Sequence, residues 1–290
     1  MSQRGDDNSY VPRAPISMDI EFTKMHGLGN DFMVVRWPQD VAPPSAATVR
    51  AWADRRTGVG FDSLLLIVPA RTASALAAYR VINADGGEAQ QCGNGARCLA
   101  TFLATESDTQ FVLESAAGPI PVRVHADDQA SVDLGEPVFT PAALPFETRS
   151  EQLRYQLNLT HEAVEFGIAS MGNPHAVIAV DSVERAPVGI LGPELEQHPS
   201  FPQGVNVGFM ERIADNAIRL RVFERGVGET RACGTGAAAA VAVGQRWGLL
   251  GSSVTVELPG GQLRVDWQGP GSHLWQTGPT CKVYEGRINV

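Results

Sequence analysis

The chain carries one cysteine-centred pattern twice, at positions 92 and 233. In both copies, glycines stand one and three positions after the cysteine, and an Arg-Val pair and a Gly-Glu pair stand at the same distances before it. The copies comprise Arg80-Val81, Gly87-Glu88 and Cys92-Gly93-Asn94-Gly95, and Arg221-Val222, Gly228-Glu229 and Cys233-Gly234-Thr235-Gly236. This repeat predicts two similar half-structures, each with one thiol at the start of a helix.

Short alternating runs, which are typical of strands, make up most of the remaining chain. Helices are predicted from Ser45, a candidate N-cap, to Arg55, from Gly95 to Thr105, at Val188–Gln197 and at Gly236–Trp247. The helix after each cysteine is apolar on nearly all sides, and such a helix is normally buried. We therefore expect an α/β (α+β) protein in which each half wraps a curved sheet around a central helix.

The domain boundaries follow from the extent of the repeat. Residues 1–17 are polar and irregular, which predicts a disordered tail. A proline-rich stretch separates the two copies, so we expect one domain of residues 18–133 plus 278–290 and another of residues 134–277. The last strand, near Cys281–Arg287, is expected to return and pair with the first domain.

Composition narrows the class of protein. The net charge of −9 argues against nucleic-acid binding and gives no attraction to anionic membranes. No apolar run approaches the roughly 18 residues of a spanning helix, and the N-terminus lacks a signal-peptide core, so we expect a cytoplasmic protein with free thiols. Cys98 and Cys281 are expected in the core. No metal site is expected, since the chain has no Cys-x-x-Cys and no suitably spaced histidine.

The setting of Cys92 and Cys233 suggests acid–base chemistry. Unpaired N–H groups at a helix start favour negative charge, so we expect a lowered pKa for both thiols. The same N–H groups can bind a carboxylate, and the glycines allow close approach. Two thiols on opposite sides of one carbon atom would remove a proton from one face and return it to the other.

The sequence resembles the diaminopimelate epimerase family, whose members are amino-acid racemases independent of pyridoxal phosphate. The resemblance extends over residues 18–290 and rests on motifs at 24–32, 83–86, 91–98, 171–175, 224–226 and 232–236. It implies two pseudo-symmetric barrel-like domains with the active site in the cleft between them. It also implies interconversion of LL- and meso-2,6-diaminopimelate without a cofactor, for lysine and peptidoglycan synthesis, by a cytosolic homodimer.

The resemblance also assigns roles to individual residues. It makes Cys92 and Cys233 the acid–base pair, with His175 and Glu224 tuning their protonation. It places the reacting carboxylate on the backbone N–H groups of Gly93, Asn94, Gly234 and Thr235. It implies that the substrate is fixed by Asn30, Asn83, Asn173, Asn206, Arg225 and the backbone of Glu224. Ser63 stands where the family commonly has glutamine, and we keep it as a substrate-binding candidate with a shorter reach.

Two alternatives remain open. A proline or hydroxyproline racemase would share the fold and the thiol pair, but it usually has histidine where Asn94 stands and has little use for Arg225. The related phenazine-biosynthesis isomerases lack the thiol pair. A thiol-redox protein would normally carry Cys-x-x-Cys, which is absent here.

Overall fold

A computed structural model describes residues 19–89, 91–148, 150–160 and 162–289, so the predicted disordered tail lies outside the described residues. The first half contains β1 (Asp19–Gly27), β2 (Asn30–Arg36), α1 (Ala46–Ala53), β3 (Ser63–Val68), β4 (Ala77–Asn83), β5 (Glu88–Ala89), α2 (Gly93–Leu103), β6 (Gln110–Ser115), β7 (Gly118–Val124) and β8 (Gln129–Asp133). A short 3-10 helix, Pro141–Ala143, follows. The remainder contains β9 (Tyr155–Asn158), β10 (Ala163–Ser170), β11 (Pro174–Ala179), α3 (Val188–Glu196), β12 (Asn206–Ala214), β13 (Ala217–Glu224), β14 (Gly228–Thr230), α4 (Gly234–Arg246), β15 (Ser253–Leu258), β16 (Gly261–Asp266), β17 (Trp275–Pro279) and β18 (Cys281–Asn289).

The order of elements repeats, as the sequence predicted. From β1 to β8 and from β10 to β17 the chain makes two strands, a helix, three strands, a helix and three strands. The pairing repeats as well, because β2–β3 and β11–β12 are parallel across an outer helix. Likewise β4–β6 and β13–β15 are parallel across α2 and α4, respectively. The two half-structures are therefore confirmed.

The upstream part of the repeat has a structural meaning. Arg80 on β4 forms two hydrogen bonds with Glu88 on β5, at 2.8 and 2.9 Å. Arg221 on β13 does the same with Glu229 on β14, at 2.6 and 2.9 Å. In each half, this pair of hydrogen bonds holds in place the short strand that leads into the cysteine-bearing helix. Planar guanidinium and carboxylate groups suit such bidentate pairing.

In each half the sheet lies between two helices. Leu65 and Ile67 of β3 belong to the core around α2, whereas Leu64 and Leu66 belong to the core that includes Trp52 of α1. This alternation follows from the two-residue period of a strand. The second half has one core around α4 and another that includes α3. Small side chains let α2 and α4 lie inside curved sheets, as their sequences predicted.

The halves are joined through the last two strands. β17 pairs with β16 of the second half and with β8 of the first. β18 pairs with β1, which confirms the predicted return of the C-terminal strand. Cys98 is buried as expected. The expectation for Cys281 is wrong, because β18 is exposed along most of its length and its cysteine faces solvent.

The predicted helix after Ser45 begins as expected, since the Ser45 hydroxyl accepts a hydrogen bond from the Thr48 N–H at 3.1 Å. An N-cap of this kind satisfies one of the otherwise unpaired N–H groups of the first turn. Among the helices that the structure describes, none combines the length and apolar character needed to cross a membrane.

Candidate active site

Each cysteine of the repeat is the N-cap residue of a buried helix. Cys92 precedes α2 and Cys233 precedes α4, both with extended backbone. The first intrahelical bonds run from the Ala96 N–H to the Cys92 carbonyl, at 2.8 Å, and from the Ala237 N–H to the Cys233 carbonyl, at 3.0 Å. The N–H groups of residues 93, 94, 234 and 235 precede this ladder. They can therefore bind an anion.

The two helix starts meet across the boundary between the halves. The Asn94 Nδ2 group donates to the carbonyl of Ala232, at 3.3 Å, directly before Cys233. Gln276 on β17 donates through Nε2 to the Gly234 carbonyl, at 2.7 Å. A Cβ atom at position 234 would lie only 2.9 Å from Gln276 Oε1. Glycine is thus required there for the close approach of a side chain, not only of a ligand.

Glu224 acts electrostatically on both thiols. It hydrogen-bonds Cys233, and its charge raises the pKa of Cys92 as well as that of Cys233. The Thr230 hydroxyl donates to Glu224 Oε1 and orients the carboxyl group. Burial raises the pKa of Glu224 above its ordinary value, although the bonds from Thr230 and Cys233 oppose this. The carboxyl group is consequently poised to exchange a proton near the thiols.

The thiol pKa values differ from the sequence-based expectation. Burial raises the pKa of Cys92, although the N–H groups of Gly95 and Asn94 and the charge of Arg97 act in the opposite direction. Burial and then Glu224 raise the pKa of Cys233 well above its usual range. The expected lowering is therefore wrong, because removal from water outweighs the effect of the helix start.

The second half brings four predicted residues into one cluster. Nε2 of buried His175 bonds Asn173 Oδ1, at 3.0 Å, and its Nδ1 has no hydrogen-bond partner among the described residues. Burial, aided by the charge of Arg225, lowers the pKa of His175 to about 3, so the ring is neutral at neutral pH. Asn206 accepts from the Arg225 N–H, at 3.0 Å, and donates to the Pro174 carbonyl, at 2.8 Å.

In the first half, Asn30 connects the site to α2. Its Oδ1 accepts from Asn94 Nδ2, at 3.2 Å, and lies 3.8 Å from Cys92 Sγ. Its Nδ2 donates to Asp62 Oδ2, at 2.9 Å. Paired positions on β3 and β4 hold Ser63 and Asn83, and the Ser63 hydroxyl donates to Asn83 Oδ1, at 3.2 Å. Ser63 is buried, and its hydroxyl is used within the protein.

Sequence reasoning missed several residues that support the site. Asp62 positions Asn30, Thr230 orients Glu224, and Gln276 joins β17 to α4. Arg97 lies on α2 and bonds both Asn94 and Gln276, at 2.5 Å each. Arg97 stands inside the motif at 91–98 and Asp62 directly precedes the binding candidate Ser63, whereas Gln276 has no local signal. Within the described ranges, no group of three or more His, Cys, Asp and Glu side chains is arranged to hold a metal ion.

The arrangement can perform proton transfer beside a bound carboxylate. Two weakly acidic thiols stand at two helix starts, and hydrogen bonds connect these helix starts to each other. Positive N–H groups at those starts can stabilise negative charge that develops at a neighbouring carbon atom. Glu224, whose charge acts on both thiols, provides a carboxyl group that can exchange protons with them.

Comparison with known proteins agrees with this chemistry. The family model described as diaminopimelate epimerase matches residues 22–140 and 167–283. A diaminopimelate epimerase from Stutzerimonas stutzeri is 48% identical over 276 residues, which cover 94% of this chain and 100% of that protein. One from Chromobacterium violaceum is 49% identical with the same coverage.

Solved structures support the fold at lower identity. A hydroxyproline epimerase from Agrobacterium vitis superposes with a TM-score of 0.69 and 21% identity, covering 94% of this chain and 93% of that one. A probable proline racemase from Agrobacterium radiobacter gives a TM-score of 0.68 with 19% identity, covering 93% and 92%. The family model, which matches most of the chain, and the two relatives of 48% and 49% identity show that the chain belongs to the diaminopimelate epimerase family.

Proposed function

We propose that this isomerase interconverts LL- and meso-2,6-diaminopimelate and so supplies lysine and peptidoglycan synthesis. The observation that carries the proposal is the meeting of two helix starts, each capped by a cysteine that interacts with the same carboxyl group, Glu224. An epimerase needs an acid and a base on opposite faces of one carbon atom, and this arrangement supplies both in equivalent settings. The relatives named above support diaminopimelate as the substrate.

The reaction begins when one cysteine is a thiolate and the other a thiol. The thiolate takes the α-proton, and the electron pair left on the α-carbon is delocalised into the adjacent carboxylate. The opposite thiol then gives its proton to the other face of the carbon and becomes the thiolate. N–H groups at positions 93, 94, 234 and 235 stabilise the charge on the carboxylate throughout.

The initial thiolate forms by local proton transfer. Glu224 is hydrogen-bonded to Cys233 and has a raised pKa, so it can accept the proton of that thiol. His175 is neutral and keeps Nδ1 unbonded within the described residues; its pKa of about 3 makes the ring a weak base, so we assign it the tuning of thiol protonation and not proton removal. Because Cys233 is buried and Cys92 is only partly exposed, exclusion of water keeps their charges strongly coupled to the substrate.

Polar side chains around the thiols recognise the two charged ends of the substrate. Arg225 is exposed at the end of β13 and provides a guanidinium for the distant carboxylate. The amide oxygens of four asparagine side chains and the backbone of Glu224 accept hydrogen bonds from the ammonium groups of the substrate. These side chains are Asn30, Asn83, Asn173 and Asn206, with Ser63 as a further candidate.

We also propose that the enzyme is a cytoplasmic homodimer. A reducing compartment would keep two neighbouring thiols from oxidising to a disulfide. The homodimer is the usual assembly implied by the family resemblance. The division into domains of residues 18–133 plus 278–290 and 134–277 remains a prediction, and a cleft between them would give the substrate access to both thiols.

Exchange in deuterated water tests the proposed reaction. Wild-type protein incubated with LL-diaminopimelate should incorporate deuterium at the α-carbon while producing the meso isomer, measured by NMR and chiral chromatography. Cys92→Ser and Cys233→Ser should each lower kcat by at least about 100-fold, since positioned acid–base groups contribute that much. Cys281→Ser, which alters an exposed thiol, should retain full activity and serves as the control.

Failure of wild-type protein to epimerise diaminopimelate would refute the assignment, as would full activity in Cys92→Ser. The same assay with L-proline and trans-4-hydroxy-L-proline tests the alternative racemase function. We expect no turnover of either compound, because neither has a second charged end for Arg225.

A further inference from the structure

Arg97 is a fully buried cation beneath both helix starts. Its Nη1 donates to Gln276 Oε1 and its Nη2 to Asn94 Oδ1, each at 2.5 Å. Both partners are neutral amides. Among the residues that the structure describes, no Asp or Glu lies within ion-pair distance of this guanidinium, and its Nε has no hydrogen-bond partner. The positive charge is therefore uncompensated by the protein.

Such a charge is costly to bury, and the cost distinguishes it from an ordinary structural arginine. Taking a guanidinium out of water costs several kcal/mol unless an anion lies beside it. Burial lowers the pKa of Arg97 to about 10, which still leaves it protonated at neutral pH. The ionisable groups that act on it are the Cys98 and Cys92 thiols. An anion supplied from outside the protein would offset this cost.

Arg97 also determines how two amide side chains are oriented. A guanidinium only donates hydrogen bonds, so the oxygens of Asn94 and Gln276 must face it. Their NH₂ groups then point away, toward the start of α4. Asn94 donates to the Ala232 carbonyl, and Gln276 donates to the Gly234 carbonyl, at 3.3 and 2.7 Å. One cation on α2 thus sets the hydrogen bonds that hold the start of α4.

The charge of Arg97 also reaches the reacting groups. Cys92 is influenced by one cation, Arg97, and one carboxyl group, Glu224. The other ionisable groups coupled to Cys92 are the neutral side chains Tyr79 and Cys98. Both helix starts add partial positive charge at the same place. The local field therefore favours an incoming anion.

We propose that Arg97 is a positioning residue of the two-thiol site: it aligns both helix starts through Asn94 and Gln276, and its unpaired charge attracts the reacting carboxylate of the substrate. This inference rests on the proposed epimerase function. The role proposed for Arg97 differs from that of a purely structural connection between the halves in one testable respect. A structural connection would be preserved by a counter-charge beside Arg97, whereas the attraction for the substrate would be cancelled.

Substitutions at Gln276 separate these two roles. Gln276→Glu keeps an acceptor for Arg97 and adds the missing negative charge, whereas Gln276→Met removes both hydrogen bonds without adding charge. Both lose the bond to the Gly234 carbonyl, so they are a matched pair. We expect the KM for LL-diaminopimelate to be at least about tenfold higher in Gln276→Glu than in Gln276→Met, the change that one pKa unit of interaction would produce.

The pH dependence of thiol alkylation gives a readout that needs no turnover. The pH at which iodoacetamide alkylates Cys92 at half its maximal rate is the midpoint of this profile. This midpoint should rise by about one pH unit in Arg97→Met and in Gln276→Glu, since each removes net positive charge near the thiol. Arg97→Lys should restore the wild-type midpoint while kcat stays below wild type, because a lysine keeps the charge but loses the two-pronged geometry. Thr101→Val removes the hydroxyl contact between α2 and Thr280, at 2.8 Å, and should behave as wild type.

The proposal is overturned if Gln276→Glu has a KM equal to or below that of Gln276→Met, or if the alkylation midpoint is unchanged in every charge-removing variant. Circular dichroism and thermal melting establish that each variant is folded. Should Arg97→Met fail to fold, Gln276→Glu and Arg97→Lys still decide the question. If wild-type protein does not turn over diaminopimelate, the proposed function fails, while the alkylation series continues to test the role of Arg97.

Discussion

At each of the two thiols, two physical effects oppose each other. A helix start stabilises a negative charge by typically about 0.3–1 kcal/mol, which is less than one pKa unit. Burial disfavours the charged form by up to several units. Cys92 and Cys233 follow the larger effect, and their pKa values are raised. The sequence predicts the helix start from the glycine pattern, but it contains no local signal for the depth of burial.

Cys98 gives a test of the same effect outside the catalytic chemistry. Burial raises its pKa from 9.0 to about 12. Below about pH 9, the thiol is protonated in both folded and unfolded chains, so its contribution to stability is complete. As the pH rises toward 12, the unfolded chain loses the proton first, and the free energy of unfolding falls by up to about 1.4 kcal/mol per pH unit.

Cys98→Val should make this alkaline loss of stability shallower, because valine fills a similar volume and does not ionise. Urea unfolding between about pH 8 and pH 11 measures the slope in each protein. Wild type and variant both retain Cys92 and Cys233, so the difference in slope belongs to Cys98. Identical slopes would contradict the raised pKa.

At the level of elements, the start of α4 depends on the absence of a side chain at position 234. Gly234→Ala would place a Cβ 2.9 Å from Gln276 Oε1, whose side chain is buried and bonded at both ends. We expect kcat/KM to fall at least about tenfold, since small displacements of a catalytic group are costly. Steady-state kinetics measure this change.

Gly189→Ala is the matched control, because a Cβ at this position in α3 would contact nothing within 4 Å. This substitution should leave activity unchanged and stabilise the protein by about 0.4–1 kcal/mol, through lower entropy of the unfolded chain. Equal activity in both glycine variants would refute the requirement for close packing at position 234.

Sequence patterns predict the four α-helices of the described residues to within a few positions, because caps and apolar character are local properties. β5 and β14 were missed, since strands of two and three residues are too short to show an alternating pattern. β17 was missed because Gly278 and Pro279 resemble a loop. Because β17 is not predicted, the sequence gives no reason to single out Gln276, whose partner Arg97 is distant in sequence. Its role depends on tertiary contacts alone.

At the level of the whole molecule, duplication explains how one chain would build the proposed acid–base pair. Two copies of one unit bring equivalent helix starts together, so each thiol has the same immediate backbone setting. Their surroundings nevertheless differ: Cys92 lies near Asn30 and is influenced by Arg97, whereas Cys233 bonds Glu224. The repeat predicts that the two thiols have similar backbone settings. Only the contacts in the folded protein show that the side chains around each thiol differ.

The proposed homodimer is tested on the exposed face of β18. Val283 and Tyr284 leave 53% and 44% of their surfaces exposed on this strand, and an apolar pair on a nine-residue strand is a candidate contact with a second copy. Tyr284→Asp should convert the dimer to a monomer in sedimentation velocity experiments, since an unpaired charge at an interface is costly. Ile190→Asp changes an exposed apolar residue on α3, 58% accessible, and should leave the dimer intact. A dimer that survives Tyr284→Asp but is lost in Ile190→Asp would place the interface on α3 instead.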